Sequence, residues 1–332
     1  MYRIVKYSED ERRILFRNTS QKMNIHEAII EKDFWVCLML DYLFQKCEYA
    51  KAFTFKGGTS LSKCYGLIHR FSEDIDIILD WRTLGYQENE PWEDRSNTKQ
   101  DAFNKEAKHR AEDFLRDVLL AILKRDLSDI MEEEAKLYVD EVDPQTICFS
   151  YPHIFQTESI LQVIRLEIGT LAAWTPAEEV SIEPYAAEYY PKAFEQKETI
   201  VLTAAAARTF WEKVTILHHE ANRPENLSIP KRYSRHYYDL YCIAHSKNKQ
   251  PAFDDIELLR RVVQFKMKFY PRKWAQYEMA VPGIMELVPP DYRLEALRKD
   301  YENMSEMMFG EYPSFDELMT YISELETEIN QL

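Results

Sequence analysis

The sequence predicts an α+β protein, a mixed β-sheet region followed by a helical one. Three observations predict it. A strand–turn–helix–strand unit runs from Ala52 to Asp80 and turns through two adjacent glycines, Gly57 and Gly58. Three further β-rich runs, 136–142, 146–151 and 160–168, follow a long helical stretch. From about Glu198 onward the periodicity is helical. At 332 residues the chain has room for two domains, and the change of pattern puts them at 1–195 and 196–332.

Taken in order, Ser8-Glu9-Asp10-Glu11 opens the first helix, with acidic residues at its positive dipole end. A second helix starts near His26. Ile30, Phe34, Cys37, Leu38 and Tyr42 recur in it at helical spacing, and the charged run Glu31-Lys32-Asp33 reads as a solvated face. A strand, Ala52 to Phe55, then leads through Lys56-Gly57-Gly58-Thr59-Ser60 into a helix, Leu61 to Ile68. The loop His69 to Glu73 precedes a second strand, Asp74 to Leu79. Residues 85–98 are polar, contain Pro91 and read as a surface loop. Asp101 to Glu134 returns to helix, with Phe114, Leu115, Val118, Leu119, Ile122 and Leu123 on one stripe. In the strand at 160–168, Ile164, Leu166 and Ile168 take one face, and Val163, Arg165 and Glu167 the other. Further helices are predicted at 204–219, 234–244, 253–269, 292–308 and 314–331.

A hydrophobic fraction of 45% provides an ordinary globular core, and seven Gly with fourteen Pro leave no long flexible linker. No run is long and apolar enough for a membrane span, and Met1-Tyr2-Arg3-Ile4-Val5 lacks a signal-peptide core, so a cytoplasmic protein is expected. Five cysteines without a CxxC pair fit reduced thiols rather than a disulfide frame or zinc site. A net charge of −15 argues against blanket nucleic-acid binding but leaves room for a local basic groove.

The chemistry concentrates at Asp74 and Asp76. Alternation on a strand puts both on one face, with Ile75 and Ile77 on the other. Two adjacent carboxylates repel, and a divalent cation held by oxygen is the simplest relief. Glycine lets backbone N–H groups come close to an anion, so the Gly57-Gly58 turn suits a phosphate. A phosphate cradle followed by an acidic strand is the equipment of metal-assisted phosphoryl or nucleotidyl transfer. Glu167 is a candidate third carboxylate, with a plain pairing to Arg165 as the other reading. Lys213 lies at the margin of an apolar helical stripe, where snorkelling is the simple account. Arg235 and Asp239 are four apart, the spacing of an intrahelical salt bridge. His218-His219-Glu220 does not match a zinc motif. The stretch Lys231 to Lys273 holds Lys231, Arg232, Arg235, Lys266, Lys268 and Arg272. Tyr237, Tyr238, Tyr241, Phe265 and Tyr270 are interleaved among them. It reads either as a track for single-stranded RNA or as solvated helix faces over an aromatic core.

Phe55-Lys56-Gly57-Gly58-Thr59-Ser60-Leu61-Ser62-Lys63, followed by Arg70-Phe71-Ser72-Glu73-Asp74-Ile75-Asp76-Ile77, resembles the first motif of AbiEii/AbiGii-type nucleotidyltransferases. These are toxin components of type IV toxin–antitoxin and phage-abortive systems. Glu31-Lys32-Asp33-Phe34-Trp35 is similar to that family's N-terminal helix. Phe210-Trp211-Glu212-Lys213 is similar to its lysine-bearing helix, and Arg232 to Tyr241 to its last motif, which contains a functional Asp. The likeness spans roughly residues 25 to 245 in the family's order. It implies a bilobed protein, a nucleotidyltransferase-like mixed sheet and then a helical lobe, with the active site in the cleft between them. It implies Asp74 and Asp76 as ligands of Mg²⁺ or Mn²⁺, and Lys56, Gly57, Gly58, Thr59, Ser60 and Lys63 around the triphosphate of an NTP. Lys213 would contact the nucleotide phosphates, and Asp239 would be a catalytic acid alongside Glu167. The acceptor would be an RNA, the 3′ end of a tRNA, and an antitoxin would be encoded nearby. Two departures stand out. Thr59-Ser60 leaves open which hydroxyl serves the phosphate, and the acidic insertion Gln87 to Arg95 bears on access. Two other functions stay open: a nucleotide-binding protein that acts through a protein contact without transfer, and a kinase-like γ-phosphate transferase.

Overall fold

A computed structural model of the chain describes residues 1–72, 74–157, 160–171 and 175–332; Glu73 of the predicted loop lies outside them. The chain forms two compact units, residues 1–64 with 71–203, and residues 65–70 with 204–332.

The first unit carries helices α1 (Tyr2–Val5), α2 (Glu9–Met23), α3 (Glu27–Asp41), α4 (Gly57–Lys63), α5 (Asn97–Phe114), α6 (Leu120–Met131) and α7 (Tyr185–Tyr189). Its strands are β1 (Phe53–Lys56), β2 (Ile75–Leu79), β3 (Lys136–Val139), β4 (Thr146–Ser150), β5 (Ile164–Gly169), β6 (Ala177–Ile182) and β7 (Thr199–Ala204). They make one sheet in the order β3-β4-β5-β2-β1-β7-β6. It is mixed: β2 runs parallel to β5 and β1 parallel to β7, while β1–β2, β3–β4 and β4–β5 are antiparallel. This is the expected α+β class. β2 is central because Ile75, Ile77, Ile78 and Leu79 are all buried, which leaves Asp76 as its one residue in partial contact with solvent.

Local chemistry explains the element edges. Ser8 caps α2 by accepting from the Glu11 N–H, and Glu11 returns a bond from the Ser8 N–H. The predicted helix at 61–68 in fact starts at Gly57 and ends at Lys63. Gly57, at φ +83°, turns the chain directly out of β1. Residues 65–70 then belong to the second unit.

Three readings of the sequence are corrected here. First, the region after Glu198 does not begin helical: β7 pairs with β1 through Phe55 and Thr203. Its Thr199-Ile200-Val201-Leu202-Thr203 run is β-branched and alternates in burial, a period-2 signal. Second, β6 was not predicted. Glu178 and Glu179 are exposed on this edge strand, so it carries no apolar alternation. Third, Glu31-Lys32-Asp33 is not a solvated face. From Ala28 to Asp41 every residue of α3 is buried, so no side of this helix faces water. The three charges persist because each finds partners. Glu31 accepts from the N–H groups of Ile154 (2.9 and 3.0 Å) and Phe155 (3.0 Å). Burial nevertheless pushes its carboxyl up to about 7, against those bonds. Lys32 Nζ donates to the Leu161 carbonyl at 2.8 Å. Asp33 accepts from Lys63 Nζ at 2.6 Å and from the Tyr185 N–H at 2.7 Å.

The second unit is helical: α8 (Ala206–Ala221), α9 (Arg235–Ala244), α10 (Lys249–Asp254), α11 (Ile256–Phe269), α12 (Asp291–Asn303) and α13 (Phe315–Ile329). The predicted helix at 253–269 is broken at Asp255, whose side chain caps α11 by accepting from the Leu258 N–H. Phe210 and Trp211 of α8 are fully buried, and Trp211 donates its indole N–H to the Ala252 carbonyl at 3.0 Å. No described helix is long and apolar enough to cross a membrane.

Candidate active site

In the first unit the strand pairing builds a row of polar side chains across the sheet. Asp76 stands opposite Lys56 on one side and Glu167 on the other. Register partners in a sheet share a face, so all three project to the same side. Lys56 Nζ lies 3.6 Å from Asp76 Oδ1, and Arg165 Nε lies 3.6 Å from Glu167 Oε1. The Glu167 carboxyl is shifted up, first by burial and then by the charges of Asp76 and Asp74, while Arg165 works the other way. That shift is the electrostatic signature of three carboxylates in one neighbourhood.

Gly57 sits directly over this row. A Cβ added there would meet Asp76 Oδ2 at 1.9 Å and Asp76 Cγ at 2.6 Å. The glycine is therefore required by close approach as well as by its positive φ. Thr59 ties the helix to the residue that leads into β2, and Ser60 closes its first turn. Thr59 Oγ1 donates to the Asp74 carbonyl at 2.5 Å, and Ser60 Oγ donates to the Gly57 carbonyl at 3.0 Å. Both hydroxyls are buried. Lys63, at the far end of α4, is held in the buried pair with Asp33; burial disfavours its ammonium, and Asp33, Cys37 and Tyr185 together more than offset that.

The donor set suits a hard cation, since Asp74, Asp76 and Glu167 offer carboxylate oxygens. Among the described residues, no three His, Cys, Asp or Glu side chains close into a protein cage. Two carboxylates that share an ion with substrate phosphates need no such cage.

The second unit holds a buried charge cluster. Asp239 on α9 has no solvent exposure. Arg70 grips it with two bonds, Nε to Oδ1 at 2.7 Å and an η nitrogen to Oδ2 at 2.9 Å. Lys213 Nζ adds a third at 2.7 Å to Oδ2 and lies 3.0 Å from His236 Nδ1. Burial works to raise the Asp239 carboxyl, and the two cations hold it well below the usual range. His236 is held neutral by burial and then by the Lys213 charge. Burial, and next to it the Arg70 charge, lower Lys213 despite Asp239. The predicted Arg235–Asp239 bridge is replaced by these partners, and Arg235 is exposed.

Residues 39–321 match the family model described as nucleotidyl transferase AbiEii toxin of type IV toxin–antitoxin systems. The chain belongs to the AbiEii family. It is accordingly a nucleotidyltransferase of the toxin class, and the family implies a cognate antitoxin. Among solved structures, MenT4, a nucleotidyltransferase toxin from Mycobacterium tuberculosis H37Rv, matches with 15% identity and a TM-score of 0.46, over 96% of this chain and 98% of that one. No curated protein sequence matches the chain.

In this AbiEii chain the predicted RNA-facing residues divide. Lys231, Arg232, Arg235 and Arg272 are exposed and Lys268 is half-buried. Lys266 turns inward, with Nζ 3.3 Å from the Glu212 carbonyl, and burial brings its ammonium down to about 7. Tyr237, Tyr238 and Phe265 are core residues, so the aromatic-core reading holds for them; Tyr270 is 53% exposed. Arg70 was given no role in the sequence, although it lies within the quoted motif stretch, four residues before Asp74. Its carboxylate partner Asp239 is 169 residues away in sequence, and no local pattern encodes that pairing.

Gly57→Ala is expected to lower transfer activity at least about tenfold, because the Cβ forces Asp76 to move and the left-handed backbone adds about 1–2 kcal/mol of strain. Activity and thermal melting of the purified variant test this. Full activity would mean that the position of Asp76 against this turn does not matter.

Proposed function

We propose that the chain transfers a nucleoside monophosphate from an NTP to an acceptor hydroxyl, with the acidic row of the sheet as the catalytic carboxylates. One observation carries this reading: Asp76, flanked by Lys56 and Glu167, lies against a glycine that has no room for a side chain. Asp74 and Asp76 would hold Mg²⁺ or Mn²⁺. Bound there, the ion would neutralise charge that develops on the phosphates. The turn at Gly57 and Gly58 would take the triphosphate beside Asp76, and Lys56 would offer it a cation. Thr59 and Ser60 are assigned a supporting role, since their hydroxyls are spent on the Asp74 and Gly57 carbonyls. Lys63 is assigned to the support of α4 through Asp33.

The attacking hydroxyl gives up a proton as its oxygen bonds to the α-phosphorus and the bond to pyrophosphate breaks. Glu167 is the better acceptor of that proton. Its side chain is 41% exposed beside Asp76, whereas both oxygens of Asp239 are occupied by Arg70 and Lys213. Asp239 is then a positioning residue that holds Lys213. Lys213 is assigned to the nucleotide phosphates by the resemblance of its motif.

The acceptor we favour is a tRNA 3′ hydroxyl. The resemblance of the motifs supports it, as do the exposed Lys231, Arg235 and Arg272. Incubation of the protein with tRNA and α-labelled or γ-labelled NTP tests the reaction. Label from the α position on RNA is expected. Label from the γ position would make the protein a kinase, and label on neither would leave a binding protein. Equal labelling of periodate-oxidised tRNA would exclude the 3′ end.

A further inference from the structure

In the second unit, α9, α13 and the stretch Glu311 to Pro313 line an open cleft of about 710 Å³. No residue of it belongs to the charge cluster at Asp239. Its wall is three rings, Tyr241 on α9, His245 just past the C-terminus of α9, and Tyr321 on α13. The His245 ring centre lies 4.1 Å from that of Tyr241 and 4.0 Å from that of Tyr321. The two tyrosines meet edge to face at 5.2 Å. A fourth ring, Tyr312, lines the same cleft and is 43% exposed.

The remaining lining is acidic. Asp316 is engaged by Arg298 at 2.5 and 3.1 Å, and Glu317 caps α13 through Ser314. Glu311 and Glu324 are exposed, and among the described residues neither has an ion-pair partner. Among the described residues that line the cleft there is no Lys or Arg. His245 donates from Nδ1 to the Tyr241 carbonyl at 2.9 Å, which leaves Nε2 with a lone pair as an acceptor.

We propose that this cleft binds an arginine-bearing segment of a protein partner. A guanidinium is planar and stacks on aromatic faces, and its five N–H donors match carboxylates and a ring nitrogen. Glu311, Glu324 and His245 Nε2 supply those acceptors around the three rings. The same carboxylates repel any anion, so nucleic acid is excluded from this surface. The volume exceeds that of one side chain and lies within the roughly 300–1,000 Å³ of built ligand sites, so residues on either side of the arginine also fit. The proposal is independent of the transfer reaction and stands or falls without it.

Isothermal titration of the intact protein with acetyl-Ala-Arg-Ala-Arg-Ala-amide tests it, beside the same peptide with Glu for Arg, and spermidine. The arginine peptide is expected to bind and the glutamate peptide not to bind. Tyr321→Ala should weaken binding about five- to thirtyfold, Tyr321→Phe should retain it, and Glu324→Gln should weaken it about threefold. Circular dichroism shows whether Tyr321→Ala folds; should it not, the Glu324→Gln loss with Tyr321→Phe retention decides. Absence of binding at millimolar peptide, equal binding of the glutamate peptide, or undiminished binding in Tyr321→Ala and Glu324→Gln would overturn the proposal. Spermidine binding as tightly as the arginine peptide would also overturn it, because the site would then take a small polyamine rather than a protein.

Discussion

Asp76→Asn is expected to reduce nucleotidyl transfer about a thousandfold or more while leaving the fold intact. The substitution keeps the volume and removes the charge that would hold the proposed cation, and electrostatic stabilisation of phosphoryl transfer amounts to several kcal/mol, at about 1.4 kcal/mol per tenfold. The effect on stability is small by contrast. The Asp76 and Lys56 side chains are 25% and 30% exposed, and a pair so placed contributes about 0–1 kcal/mol. Removal of this carboxylate also relieves the repulsion that Glu167 feels from it. Single-turnover transfer with α-labelled NTP, measured beside a thermal melt, separates the two. A variant that is folded and fully active would sink the metal assignment; an unfolded one would give Asp76 a structural role.

The second large effect lies in stability. Asp239→Ala leaves Arg70 and Lys213 buried without their counter-charge, a loss of about 3–5 kcal/mol when one member of a buried pair is removed. Against total stabilities of about 5–15 kcal/mol, that is enough to leave much of the protein unfolded. Lys213→Met is gentler, because Arg70 still grips Asp239 with two bonds; it should fold and bind NTP more weakly. If Asp239→Ala melts like the parent, the cluster is not the keystone described here. The pH dependence has a definite sign. The folded carboxyl is held below its unfolded value, so its stabilisation is complete above about pH 4 and is lost as pH falls below that. Denaturant midpoints from pH 6 down to pH 2 should fall more steeply for the parent protein than for Asp239→Asn.

How legible this protein was in its sequence depends on how local each determinant is. The β1–α4–β2 unit is written within thirty or so residues. Glycine punctuation and strand alternation are enough to place Asp74, Asp76 and Gly57 together. Glu167 was legible as a face of β5, but its place beside Asp76 needed the parallel pairing of β2 with β5, which alternation cannot supply. The charged triplet of α3 shows the opposite failure. Charge in a helix is most often solvated, and only the loops at Ile154 and Leu161 and the start of α7 at Tyr185, more than a hundred residues on, make burial possible. Arg235 and Asp239 misled in the same way, since the spacing of a local bridge hid two distant cations. β7 was missed for another reason: its β-branched run merges into the alanines that open α8, and the helical signal masked it.

The short segment Tyr65–Arg70 has a consequence for how this toxin can be made and dissected. It leaves the first half of the chain and completes the second unit, where Tyr65 donates to the Ala204 carbonyl, His69 is bonded to Tyr238 and Phe309, and Arg70 pairs with Asp239. A C-terminal fragment 204–332 would be synthesised without Tyr65, His69 and Arg70. On the ribosome the missing piece is already made before the helices that need it, so the unit matures only once its last helices emerge and capture a stretch translated more than a hundred residues earlier. The two units are therefore not interchangeable modules. A gene split at the boundary should give a soluble second half only when the first half is supplied in trans.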